Sequence, residues 1–288
     1  MNLLSAHLPQ RLDSNVLGET AHVFGDGLVG VLHHGAQGAR QDTAVILLNA
    51  GMVQRMGPYR GGVQLARSLA GGGFPVFRFD QSGLGDSPLS PRPCAELRQA
   101  ELQAAMDLVA RRTGAQRFVV GGICSAADQG FQFAAIEPRI HGVLLLDGLA
   151  YRTWGYWWRY LLPRLLRPGK LLRWWQQRGA GRPALADFRD FPTRKEAATR
   201  LRDMVSRDVR LLFVFTGGAY GYFNHARQLS AALGKAARSA QVCVDYWPDC
   251  DHTFYLQRDR RRLQQDVLCW LQREFGMPAA GHSPEVER

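Results

Sequence analysis

Short apolar runs alternate along this chain with longer segments in which apolar residues recur every three or four positions. Residues 43–48 read TAVILL, a continuous and largely β-branched run of the kind that forms a strand buried on both faces. Comparable runs stand at 27–33 (GLVGVLH), 75–79 (PVFRF), 117–120, 142–146 (GVLLL), 209–215 (VRLLFVF) and 241–247 (QVCVDYW). The spacing between them predicts helices over 60–69, 96–112, from Ser125 to about Ile136, 226–233 and 258–275. Gly71-Gly72-Gly73 stops the first of these. Strands alternating with helices imply a parallel sheet with right-handed crossovers, and we expect an α/β fold with a mostly parallel, eight-stranded sheet, one strand more than the seven runs above.

The interval 151–208 is too long for a simple crossover. It is expected to be a helical cap inserted over the carboxyl edge of the sheet, where α/β proteins place their sites. Residues 1–150 and 209–277 then form one core, and the Pro-, Gly- and charge-rich tail at 278–288 is expected to be disordered. A length of 288 residues with 46% apolar composition suits a single domain of this kind.

Composition narrows the function. No apolar run reaches the roughly eighteen residues of a membrane span, and residues 1–17 lack the basic start and apolar centre of a secretory signal. The five cysteines are scattered, odd in number and without metal-ligand spacing. A reducing cytoplasmic compartment is therefore expected, with neither a disulfide framework nor a metal or other cofactor. The net charge is +11, and the excess is local: residues 151–182 carry eight basic residues and no acidic one.

The chemistry concentrates at Gly122-Ile123-Cys124-Ser125-Ala126. A nucleophile elbow joins a strand to a helix through a sharp turn, and the residues two before and two after the nucleophile must be small. Cys124 meets that demand with Gly122 and Ala126, whereas Ser125 would put Ile123 in the crowded place. The thiol is thus the candidate nucleophile, against the plainer reading of a small buried cysteine at a tight turn. His252, in the loop after the last strand, is the candidate base, since it follows the nucleophile in the order this architecture uses. A neighbouring imidazole favours the thiolate. The amide of Ser125, with that of Gly51 or Met52 after the early strand, is expected to hold an oxyanion. The acid is harder to place, because the usual strand end reads Thr216-Gly217-Gly218 and has no carboxylate. Asp147, at the end of the preceding strand, is the first substitute and Asp251 the second. Asp80 and Asp86 are expected to brace a turn.

Three segments carry a family resemblance: VILLNAGMVQRMGPYRGGVQLARSLAGGGFPVFRFDQSGLGDS over 45–87, the elbow GGICSAAD and the histidine loop DCDHTF. They resemble α/β hydrolases near the serine-aminopeptidase-like (S33) group, especially hydrolases associated with the exosortase-A system of bacterial exopolysaccharide clusters. The resemblance spans most of 27–275. It implies an α/β-hydrolase fold, with Cys124 and His252 in the nucleophile and base positions. Cysteine stands where the group has serine, which turns the expectation from peptide bonds toward esters, thioesters or lactones.

Between 151 and 182, Trp, Tyr and Leu interleave with the arginines. Such a segment suits a cap over a small-molecule or lipid-linked acyl substrate, or peripheral contact with the anionic surface of an inner membrane. No nucleic-acid reading motif accompanies it, so no nucleic-acid partner is expected. The alternative to an enzyme is a non-catalytic scaffold that keeps the fold to bind a lipid-linked or polysaccharide partner.

Overall fold

The computed structural model describes residues 18–36, 42–90, 94–165, 189 and 192–276. The tail expected at 278–288 and most of the basic stretch beyond 165 lie outside the described residues. The strands are β1 (Glu19–Phe24), β2 (Leu28–His33), β3 (Thr43–Leu47), β4 (Val76–Phe79), β5 (Arg117–Ile123), β6 (Ile140–Leu146), β7 (Arg210–Thr216) and β8 (Val242–Trp247). They form one eight-stranded sheet in the order β1-β2-β4-β3-β5-β6-β7-β8. β1 and β2 pair antiparallel with each other, β2 pairs antiparallel with β4, and every pairing from β4 to β8 is parallel. Each residue of β3 and β4 is buried, as the continuous apolar runs predict for strands covered on both faces.

β1 is the strand that the sequence pattern does not announce. Its residues ETAHVF mix polar and apolar types and are mostly exposed, and it is held as the outer arm of a hairpin. Gly25 and Gly27 make that turn at φ of 53° and 92°, a region open to glycine without a steric penalty.

Helices cover both faces. α1 (Gly61–Gly71) and the last helix, α7 (Gln257–Phe275), lie on one side. There Leu65, Leu69, Leu263, Val267 and Trp270 pack against Val45, Val119, Leu144 and Val214 of the strands. The other side carries α2 (Cys94–Thr113), α3 (Ser125–Ile136), α5 (Arg194–Ser206) and α6 (Arg227–Leu233). α5 lies inside the interval assigned above to an insertion. It starts on a capping box between Thr193 and Glu196, and it buries Ala197, Leu201 and Met204 in the main core. It therefore acts as a sheet-covering crossover helix.

α4 (Trp154–Leu165) leaves the end of β6 and rests on the loop after β7. The Tyr156 hydroxyl donates to the Gly221 carbonyl at 2.7 Å, and the Arg159 guanidinium donates to the Asn224 side chain at 3.0 Å.

Candidate active site

The turn between β5 and α3 is strained. Cys124 has φ 58° and ψ −121°, a conformation that an L-residue keeps only when its surroundings impose it. The approach to that turn needs glycine twice. A Cβ on Gly121 (φ 149°) would fall 2.0 Å from the Leu144 carbonyl oxygen, and one on Gly122 (φ 153°) would fall 3.0 Å from the Ala126 Cβ. The amide of Cys124 is tied to the Leu146 carbonyl at 2.8 Å, which fixes the elbow to β6. The sulfur therefore stands at the start of α3 with the Ser125 amide directed at it, partly exposed and outside the core.

His252 approaches it from the loop after β8, close enough to lower the pKa of the thiol. Its Nδ1 lies 2.8 Å from Asp147 Oδ2. Asp147 follows β6 with φ 49° and is fully buried. The Thr216 amide and the Thr216 hydroxyl each donate to its carboxylate at 2.6 Å. The Tyr222 hydroxyl donates to the Asp147 carbonyl at 2.9 Å. So the strand end that lacks a carboxylate supplies two donors to the carboxylate of its neighbour. The glycines there have a use as well. A Cβ on Gly218 would lie 2.6 Å from the Cβ of His252, so a side chain at that place would displace the histidine loop. Asp251, the second candidate acid, accepts from the Thr253 amide and hydroxyl and from the Tyr255 amide, and so shapes its own loop.

The hydrogen bond to Asp147, then the nearness of the Cys124 thiol, raises the His252 pKa to about 9. Burial works against ionisation of the Cys124 thiol. The nearby His252 ring, the charge of Arg189 and the Ser125 amide outweigh it, so the thiol sits below its ordinary pKa. Two other thiols move the opposite way: burial pushes Cys250 up to about 12 and raises Cys243 too.

Of the other expected oxyanion donors, the Gly51 amide donates to the Ser125 hydroxyl at 2.7 Å, joining the early loop to the elbow. Met52, next on that loop, exposes its side chain. Asp80 anchors the loop from beneath. It accepts from the Asn49 side chain at 3.2 Å and the Arg55 amide at 2.6 Å, and it pairs with the Arg55 guanidinium, which also reaches Asp86.

Arg189 is a residue the sequence reading passes over. Its guanidinium makes a two-pronged ion pair with Asp128 in the first turn of α3, at 2.6 and 2.7 Å, and both side chains are buried. No local pattern announces a partner 61 residues away. Among the described residues no group of His, Cys, Asp and Glu is arranged to hold a metal ion, and no helix is long and apolar enough to cross a membrane.

Comparison with known proteins agrees with this architecture. A family described as alpha/beta hydrolase fold matches residues 32–263. Among solved structures, an esterase from Pyrococcus furiosus superposes with a TM-score of 0.59 at 14% identity, over 90% of this chain and 91% of its own. The esterase domain of a Rhodothermus marinus protein gives 0.52 at 16% identity, over 90% and 100%. A dienelactone hydrolase from Anabaena variabilis gives 0.54 at 15%, over 90% and 99%. Among curated proteins none matches significantly. At such identities the structural likeness concerns the fold, and the affiliation rests on the family match. Because that match runs from the end of β2 into α7 and takes in every parallel pairing of the sheet, this chain belongs to the alpha/beta hydrolase fold family and is a hydrolase.

Proposed function

We propose that the protein hydrolyses an ester, thioester or lactone through Cys124, with His252 as acid–base catalyst and Asp147 as its orienting carboxylate. One observation carries this reading: the imidazole of His252, bonded at Nδ1 to the buried Asp147 carboxylate, stands by the elbow thiol and lowers its pKa. The thiolate attacks the carbonyl carbon, a C–S bond forms, and the π electrons move to oxygen, which faces the Ser125 amide and the loop at Gly51 and Met52. Collapse breaks the bond to the leaving oxygen or sulfur, and the His252 imidazolium supplies its proton. Water, deprotonated by His252, then attacks the acyl thioester. The C–S bond breaks, and thiolate and carboxylic acid result. A thiolate expels alkoxide or thiolate more readily than amine, which favours esters over peptides. The resemblance to exosortase-associated hydrolases directs the same chemistry toward exopolysaccharide assembly. The contact between His252 and Asp147 supports a catalytic role over the non-catalytic alternative.

The test is a panel of acyl esters, thioesters and lactones with the purified protein and Cys124→Ala. Turnover that vanishes in the variant is expected. Turnover that survives in it would overturn the thiol reading.

A second reading concerns α4. Trp154 (85% exposed), Trp158 (67%) and Leu162 (50%) recur at four-residue steps and so share one side of the helix. They support the view that the region 151–208 includes a cap whose outer side contacts anionic lipid.

A further inference from the structure

Between the ends of β3, β5 and β6 and the helices α1 and α7 lies a cavity of about 80 Å³ with mostly apolar walls. Its position is tied to the reacting groups through the chain. Ile123, Leu146 and Thr253 line it, and they adjoin Cys124, Asp147 and His252 in sequence; Ala50, which adjoins Gly51, lines it too. Leu65 and Leu263, both buried, close it from the two helices. Gly61 borders it in ordinary helical conformation, and a Cβ there would meet only the Arg260 Cδ, at 3.9 Å. Part of the space therefore exists because residue 61 has no side chain.

We propose that this cavity receives the acyl part of the substrate and makes short-chain acyl esters the substrate class, an inference that rests on the thiol-hydrolase reading above. The acyl group stays on sulfur through both half-reactions, whereas the alcohol must leave and diffuse away. An apolar recess whose walls adjoin all three reacting residues along the chain suits the part that stays. Its size sets the length: at roughly 10–15 Å³ for one water-sized sphere, it admits about five to eight non-hydrogen atoms. Butanoyl to octanoyl chains fit that volume, and long fatty acyl chains do not.

The experiment measures kcat/KM for p-nitrophenyl esters from acetyl to tetradecanoyl, and for acetate esters of a matching series of alcohols. The same samples are labelled at Cys124 with iodoacetamide. Each methylene that enters the cavity is expected to raise kcat/KM about fourfold until the space is filled, and longer chains then lose it again. Leu263→Ala, which widens the recess, moves the optimum to longer chains. Gly61→Leu, which narrows it and also suits a helix better, lowers the hexanoyl-to-acetyl ratio at least tenfold. An acyl profile that is flat, or that neither variant moves, overturns the cavity assignment, as does a dependence on alcohol length alone. If no ester of any length is cleaved the assignment falls as well. Labelling then separates the two claims: His252-dependent modification of Cys124 leaves the thiol reading standing, and its absence removes both.

Discussion

At the scale of single residues, the site is a contest between burial and pairing over one thiol. Burial opposes a thiolate at Cys124, and the pairing with His252 and the charge of Arg189 prevail. The imidazole in turn holds its proton up to about pH 9 because Asp147 accepts from it. The sign follows: a lowered thiol pKa beside a raised imidazole pKa shifts the pair toward thiolate and imidazolium, so Cys124 ionises at lower pH than an ordinary thiol. Alkylation of Cys124 by iodoacetamide should therefore outpace that of a free cysteine below pH 8 and keep more of its rate as the pH falls toward about 6.5. Asp147→Asn removes the largest cause of the raised His252 pKa, so its alkylation curve should shift to higher pH and ester turnover should fall on the order of a hundredfold. An unshifted curve, read by mass spectrometry of the labelled peptide, would show that Asp147 does not control the pair. Cys124, His252 and Asp147 were legible in the sequence because small residues, loop placement and strand ends mark them. The bond between Gly51 and the Ser125 hydroxyl was not, because it joins residues 74 apart through a geometry that no local pattern encodes.

At the scale of elements, apolar runs announced the strands buried on two faces and passed over the one strand with little to bury. β1 exposes most of its side chains, so its stability comes from pairing with β2 rather than from its own pattern. α5 escaped notice for a related reason: it is polar, and only the Thr193–Glu196 box and the spacing of Ala197, Leu201 and Met204 betray it. Between β6 and α5 the chain is fastened to the elbow helix by Arg189 and Asp128. Removing one member of a buried pair leaves an uncompensated charge and costs about 3–5 kcal/mol, whereas replacing both with apolar residues of similar size recovers much of that. Urea unfolding should accordingly show Arg189→Met as strongly destabilised and Arg189→Met with Asp128→Leu as closer to the parent. Additive losses across that cycle would mean the two side chains do not act as a pair.

At the scale of the whole molecule, charge and aromatic surface coincide. The chain carries +11 overall, and α4, within its most basic stretch, presents Trp154, Trp158 and Leu162 outward. A basic segment near an anionic leaflet gains about 1 kcal/mol per Lys or Arg, and indole rings settle at the headgroup level. The two contributions respond differently to salt. At an ionic strength of about 0.1 M the screening length is roughly 10 Å, and it shortens to a few ångströms near 1 M, so the electrostatic part fades while the tryptophan part persists. Flotation with vesicles of anionic lipid should therefore capture the protein at low salt and release most of it at high salt, and zwitterionic vesicles should capture little. Trp154→Ser with Trp158→Ser should weaken capture at low salt about tenfold or more, equivalent to roughly 1.4 kcal/mol, without changing the salt dependence. Capture that follows salt but ignores the tryptophans would reduce the contact to unspecific attraction of a basic protein, and no capture at all would remove the membrane reading.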